Sequence, residues 1–225
     1  NGVDPVSGRK VGLETGDPRG FGNYDELYAA FMKQIRYFVD MKVRVSNYID
    51  RMFAKYAPAT FLSLFIDDCI AKGRDYYNCG PRYNTTYIQC TGLGTITDSL
   101  VTLKKHIFED KRWSMDELLK AMADNFEGAE AMRQTILNRT PFFGNDDEYA
   151  DSIAVKVFDD LYDTIEGKPN TKGECFHLNM LSTTCHVYFG KVMGATPNGR
   201  LAGRAISDGT SPSHGADTHG PSAVI

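Results

Sequence analysis

Apolar residues recur three or four apart from Leu27 through Phe31, Ile35, Phe38, Val45, Ile49 and Met52, which predicts one long amphipathic helix with that stripe in the core. Asn23 is a competent N-cap with Glu26 three residues on, as in a capping box. Pro58 ends the helix by removing a donor and restricting Ala57. The opposite side, with Lys33, Arg36, Asp40, Arg44, Asp50 and Arg51, reads as a solvated or ion-paired face. Phe61 to Ile66 is a short apolar run that periodicity alone does not assign; a strand turning into a helix near Asp67 is the favoured reading. Arg82 to Gln89, rich in Tyr, Thr and Ile, predicts a second strand, and Gly92 and Gly94 then feed a helix from about Thr95 to Phe108. Ser114-Met-Asp-Glu117 is a capping box before a helix over 118–126, which continues over 127–138 after a kink near Gly128 and stops before Pro141. A further amphipathic helix covers 146–165, with Ile153, Val157, Leu161 and Ile165 on one stripe. Phe176 to Phe189 alternates and predicts the longest strand, which delivers the chain into its last segment.

That segment, Gly194 to Ile225, breaks every periodicity with glycine at 194, 199, 203, 209, 215 and 220 and proline at 197, 212 and 221. Glycine supplies positive φ and proline removes a donor, so no long helix or central strand fits. A disordered linker and an ordered loop wrapped over a scaffold both remain open on composition. Residues 1–22 are equally turn-rich around Lys10-Val-Gly-Leu13 and suit a loose hairpin or surface loop.

With 225 residues and 42% hydrophobic content, the chain can bury a real core, so it is neither a tail nor a repeat array. The net charge of −4 and the absence of a Lys/Arg cluster argue against nucleic acid as a partner. No apolar run approaches the roughly 20 residues that span a bilayer, and no charged-then-apolar leader opens the chain, which predicts a cytoplasmic location with no membrane partner. Five cysteines cannot all pair internally, and neither C-x-x-C nor H-x-x-x-H spacing occurs, so free thiols and no metal site are expected. Gly92-Leu-Gly94 lacks the third glycine of a dinucleotide fingerprint, and Asn145-Asp-Asp-Glu148 lacks calcium-loop spacing and suits a helix start. The histidines at 106, 177, 186, 214 and 219 have no readable nucleophile partner, and Cys185 and His186, adjacent in a strand, would point to opposite faces. No catalytic residue is assigned from the residues alone.

The order of residues in the last segment says more. Ala195-Thr-Pro-Asn-Gly-Arg-Leu-Ala-Gly203, Ser207-Asp-Gly-Thr-Ser-Pro212 and Gly220-Pro-Ser-Ala-Val224 resemble three consecutive blocks of the glycyl radical enzymes. Upstream, Gly73-Arg-Asp-Tyr76, Arg82-Tyr-Asn84, Gly92-Leu-Gly-Thr-Ile-Thr-Asp-Ser99 and Leu181-Ser-Thr-Thr-Cys-His-Val-Tyr-Phe-Gly190 extend the resemblance over essentially the whole chain. Tyr83-Asn-Thr-Thr-Tyr-Ile-Gln89 and Thr183-Thr-Cys-His-Val-Tyr-Phe-Gly-Lys191 are worded most like the trans-4-hydroxy-L-proline dehydratase branch. Cys79-Gly-Pro81, Cys90 and Ser182 depart from the family's wording.

The resemblance implies an α/β fold, part of a ten-stranded barrel with long helices packed outside. It implies a lyase that dehydrates hydroxyproline to a pyrroline carboxylate, or a relative such as a diol dehydratase, a choline trimethylamine-lyase or a formate acetyltransferase-like enzyme. A non-catalytic scaffold module is the reading from another class. The family's thiyl cysteine sits in G-C-x-E and its radical glycine in R-V-x-G-Y; neither motif occurs in this sequence. Residues 1–225 are therefore expected to be a single interior segment of the barrel domain, inactive alone and holding no cofactor. Asn1 in place of Met and the closing Ala-Val-Ile fit that expectation. In the full-length protein the resemblance implies a glycyl radical installed by a radical S-adenosylmethionine activase, a small-molecule substrate, and a homodimer. It places Leu181 and Thr183 toward the substrate, on one face of the predicted strand.

Overall fold

The computed structural model describes residues 2–4 and 7–224, so Asn1, Pro5, Val6 and Ile225, including the two chain ends, lie outside the described residues. Helix α1 (Tyr24–Tyr56) begins where the Asn23 side chain accepts from the Glu26 amide at 2.9 Å and the Glu26 carboxylate accepts from the Gly22 amide at 2.8 Å. These bonds occupy donors that the first helical turn leaves without partners. Of the predicted stripe only Leu27 is buried, with Phe31 and Ile35 partly buried against the core, so the packed face is rotated from the one expected. Leu27, Tyr28, Met32, Val39 and Val43 are buried, whereas Phe38, Val45, Ile49 and Met52 are each at least 40% exposed. A helix of 33 residues runs about 50 Å, and its last turns keep most of their apolar side chains in solvent.

The predicted strand at Phe61 to Ile66 does not form. Thr60–Ser63 (α2) is a single helical turn, followed by turns and by α3 (Cys69–Lys72). The Ser63 amide bonds the Ala59 carbonyl, the Leu64 amide bonds the Phe61 carbonyl, and the Phe61 and Phe65 rings meet edge to face with centroids 5.1 Å apart. A four-residue spacing that brings two rings together on one side is a helical relation, and no second strand is alongside to hold an extended chain.

Strand β1 (Thr86–Gln89) is followed by α4 (Leu93–Thr102), which widens into a π-helical turn at Leu103–Glu109. Then come α5 (Met115–Ala123), α6 (Glu130–Arg139) and α7 (Glu148–Ile165). The Ser114 capping box is complete: the Glu117 amide donates to Ser114 Oγ at 3.2 Å, and the Ser114 amide donates to the Glu117 carboxylate at 2.7 Å. Helix α7 is capped by Asp147, which accepts from the Tyr149 amide.

Strand β2 (Phe176–Asn179) returns parallel to β1 in the register Thr86 to Phe176 and Gln89 to Asn179. A parallel pair needs a crossover, and here the crossover is the whole α4 to α7 block. Helices lie on one face of this two-stranded sheet: Ile88 and Phe176 pack with Val39 and Val43 of α1 and Ile165 of α7. A second core joins Leu27, Tyr28 and Met32 to Leu100 and Val101 of α4 and to Ile153 and Val157 of α7. The fold is mixed α/β with a small parallel sheet.

The long strand predicted from Phe176 to Phe189 stops at Asn179. The Asn179 side chain accepts from the Leu181 amide at 2.8 Å, a local turn that competes with the ladder, and Cys185–Val192 is a helix, α8. The two alternating sets expected over 181–186 are therefore not the two faces of a strand. Among its described residues the glycine-rich segment is a folded loop whose regular structure is the short helical turn Pro221–Ala223.

Candidate functional site

Two constructions flank the C-terminal ends of the strands. The first is the sheet face that the helices leave uncovered. Strand side chains alternate, so with Ile88 and Phe176 turned to the helices, Tyr87, Gln89, His177 and Asn179 share the other face. They stand in two register pairs, Tyr87 beside His177 and Gln89 beside Asn179. Tyr87 and Gln89 are exposed, and the Tyr87 ring lies 5.8 Å from the imidazole. A hydrogen-bonding amide pair next to aromatic rings can orient a small polar molecule. Sequence reading passed over these four, although the alternation in Tyr87-Ile-Gln89 and Phe176-His-Leu-Asn179 is the signal that finds them.

Leu181 and Thr183 follow directly. Both are exposed, while Ser182 between them is 2% exposed, its hydroxyl 3.3 Å from His186 Nδ1. Thr183 sits at φ 52°, a left-handed conformation unusual for a β-branched residue, with its hydroxyl 3.7 Å from Cys185 Sγ. Backbone strain of this kind concentrates at binding and switch positions. Cys185 and His186 are successive residues of α8, not of a strand, and they bond different partners: Cys185 meets Thr183, and His186 meets Ser182, with Asp208 3.7 Å away.

The second construction is the glycine-rich loop seated on α4. Ser207 and Thr95 bond reciprocally: the Thr95 amide donates to Ser207 Oγ at 3.0 Å and the Ser207 amide to Thr95 Oγ1 at 2.8 Å. The Leu93 amide donates to the Gly209 carbonyl, so the loop itself caps a helix that starts at Gly92 without a capping side chain. Gly94 is required by this contact, because a Cβ there would lie 2.5 Å from the Ser211 carbonyl oxygen. With those first-turn amides engaged and the loop backbone against Gly94, this helix start has no room for a phosphate.

Asp98 stands one turn further on, fully buried. It accepts from the Phe143 amide at 2.9 Å and from the Ser213 hydroxyl, and forms no ion pair among the described residues. Burial pushes its carboxyl up to about 7, against the lowering effect of the Ser213 and Phe143 bonds. Asn145 holds the far end of the loop, donating to the Ala216 carbonyl and accepting from the Thr218 and His219 amides. Arg200 ties the near end, its guanidinium donating to Thr196 Oγ1 and to the carbonyls of Gly194, Leu201 and Arg204. A cavity of about 1000 Å³ opens between α6 and this loop, lined in part by Arg133, Leu137, Asn198, Arg204 and His214; it includes no residue of β1 or β2.

Among the described residues no group of three His, Cys, Asp or Glu side chains could hold a metal ion, and no helix is long and apolar enough to cross a membrane.

Residues 1–190 match the family model described as pyruvate formate lyase-like. The chain belongs to this family, that of the glycyl radical enzymes. Its pyruvate formate lyase-like relatives include the trans-4-hydroxy-L-proline dehydratase of Clostridioides difficile, 50% identical over 225 residues, which cover 100% of this chain and 28% of that one. The isethionate sulfite-lyase of Oleidesulfovibrio alaskensis is 38% identical over 220 residues, covering 96% and 26%. The crystal structure of the Clostridioides difficile hydroxyproline dehydratase, with trans-4-hydroxy-L-proline bound, superposes with a TM-score of 0.95 over 100% of this chain and 28% of that one. The glycerol-bound glycerol dehydratase of Clostridium butyricum superposes with a TM-score of 0.92 at 34% identity, over 99% and 28%. The chain thus spans little more than a quarter of the length of the curated relatives it matches.

Proposed function

We propose that the full-length protein carrying this chain is a glycyl radical lyase that dehydrates trans-4-hydroxy-L-proline to a pyrroline carboxylate. The observation that carries this reading is the 50% identity to the hydroxyproline dehydratase along all 225 residues, against 38% for the isethionate lyase and 31% for a sulfopropanediol dehydratase. In this reading residues 1–225 are an interior segment, and β1 and β2 with their helical crossover are two staves of a ten-stranded α/β barrel. The enzyme is a homodimer activated by a radical S-adenosylmethionine partner. The glycyl radical, held outside this chain, would supply, through the family's thiyl cysteine, removal of a hydrogen atom beside the ring nitrogen and its return to the product radical once the 4-hydroxyl has left with a proton as water.

The chain's own part is to bind and orient. Tyr87, Gln89, His177 and Asn179 face the barrel interior, and Leu181 with Thr183 extends that lining past the end of β2. The exposed Thr183 hydroxyl, beside the Cys185 thiol, suits hydrogen bonding to a small polar ring. Thr183→Val keeps the shape and removes the hydroxyl, so kcat/KM in the full-length enzyme is expected to fall by roughly 1 to 3 kcal/mol of transition-state binding. An unchanged kcat/KM would remove Thr183 from the substrate site.

The reading as a whole is tested with the full-length protein and its activase under anaerobic conditions. The expected result is a glycyl radical signal by electron paramagnetic resonance and a pyrroline product from trans-4-hydroxy-L-proline. Propane-1,2-diol, glycerol and isethionate are run beside it, because the propanediol and glycerol dehydratase folds fit almost as closely. Turnover of one of those with no turnover of hydroxyproline would overturn the substrate assignment, and failure to form a radical would overturn the enzyme class.

A further inference from the structure

At the N-terminal end of β2, His177 of the uncovered sheet face meets two side chains, Cys175 and Glu166, to which the proposed dehydration gives no part. Cys175 Sγ lies 3.5 Å from His177 Nε2, and Nδ1 of the same imidazole bonds the Glu166 carboxylate. Residues two apart on an extended chain fall on one side, which brings thiol and ring together. The backbone around them is held on both flanks. The Thr86 amide donates to the Cys175 carbonyl at 3.1 Å, Pro169 and Cys175 form an antiparallel bridge, and the Phe176 amide donates to the Lys168 carbonyl at 2.7 Å. Glu166 is the residue that closes α7, so helix and strand together fix the carboxylate against the ring. The Tyr87 ring packs beside the imidazole and limits its rotation.

This is a nucleophile within reach of a base, with the base oriented by a third group. The four other cysteines lack it. Cys69 is buried, and burial pushes the Cys90 thiol up. Cys185 meets only the Thr183 hydroxyl, and Cys79 has no hydrogen-bond partner among the described residues. The His177 and Glu166 side chains keep 30% and 26% of their exposure and Cys175 is half-buried, so none of the three is sealed in the core of this chain.

We propose that Cys175 is a reversible thiol modification site that takes a mixed disulfide from low-molecular-weight disulfides. His177 Nε2 accepts the thiol proton, and the Cys175 sulfur attacks one sulfur of the disulfide. The sulfur–sulfur bond of the reagent breaks, and the departing thiolate leaves as a thiol with the proton that His177 returns. Glu166 is a positioning residue that holds the ring in the tautomer whose Nε2 faces sulfur. The inference rests on these contacts and not on the dehydratase assignment.

The test uses the full-length protein carrying this chain, before activation and without oxygen, treated with limiting glutathione disulfide and separately with iodoacetamide. Modified peptides are then mapped by mass spectrometry over time. Cys175 is expected to be modified first among the five cysteines of this chain, and the glutathione adduct to be reversed by dithiothreitol. His177→Gln is expected to slow both reactions at Cys175 by about tenfold or more, with a smaller loss in Glu166→Gln. The proposal is overturned if wild-type Cys175 reacts no faster than Cys79 or Cys185, a ranking that needs no folded variant, or if His177→Gln leaves the rate unchanged.

Discussion

Raising the pH from 5 to 8 is expected to loosen the glycine-rich loop from α4 by about 3 kcal/mol, and Asp98→Asn is expected to abolish most of that dependence. Asp98 has its carboxyl pushed up to about 7 in the folded state by burial, against 3.8 in water. A folded-state value above the unfolded one means that the folded state binds the proton more tightly. The resulting stabilisation is complete below about pH 4 and is lost as the pH rises through about 7. When ionised, the carboxylate has only the Phe143 amide and the Ser213 hydroxyl to compensate its burial. Opening the loop breaks the Ser213 bond and admits water. Hydrogen exchange of the Thr95 and Ser207 amides, corrected for the intrinsic effect of pH, reads the opening directly, since each bonds across the contact between α4 and the loop. Asparagine keeps an acceptor for Phe143 and carries no charge, so its profile should be flat. Equal pH dependence in wild type and variant would show that Asp98 is not the titrating group.

Arg200→Met is expected to weaken the other end of the loop by about 3 kcal/mol. One guanidinium serves three carbonyls and one hydroxyl between Gly194 and Arg204, a planar fork that a point charge does not reproduce. Burial alone lowers its affinity for the proton, so its positive charge is maintained at a cost that these acceptors offset. Methionine fills much of the volume and leaves the three carbonyls without that donor. The Gly199 and Gly203 amides, which bond Thr196 and Met193, should then exchange roughly 100-fold faster, with Arg200→Lys in between. Unchanged exchange in the methionine variant would mean that the glycine turns hold the loop unaided.

The helices were legible because their ends carry chemistry. Asn23 with Glu26, Ser114 with Glu117, and Pro58 and Pro141 mark boundaries through local bonds that tertiary context does not alter. The strands were legible only where the pattern was short. Over Leu181 to Phe189 the residues Thr, Thr, Val, Tyr and Phe favour an extended chain, yet Asn179 turns it, and Gly190 in α8 packs where a Cβ would lie 2.2 Å from the Arg204 carbonyl oxygen. Contacts with a loop 14 residues downstream are invisible to a local window. Thr183 and Leu181 were named as neighbours on a strand face that does not exist, although both remain open to solvent. Asp98 was quoted only within the Gly92 to Ser99 wording, because a local window does not show that Phe143 and Ser213 close over it. The four residues of the uncovered sheet face needed the register of two distant strands before they could be grouped.

That register has a further consequence for how the chain is made. Thr86 pairs with Phe176, about 90 residues later. At a ribosomal rate of about 5–20 residues per second, β1 waits roughly 5 to 20 seconds for its partner to emerge. Closing so long a loop carries an entropic penalty that local helical contacts do not face, so α4 to α7 can fold against α1 first. During that interval the backbone of β1 and the side chain of Ile88 are unpaired on a nascent chain, an adhesive edge in a crowded polysome. Synthesis of this protein should therefore depend on holdase chaperones, and slowing translation after Gln89 should lower the yield of soluble product.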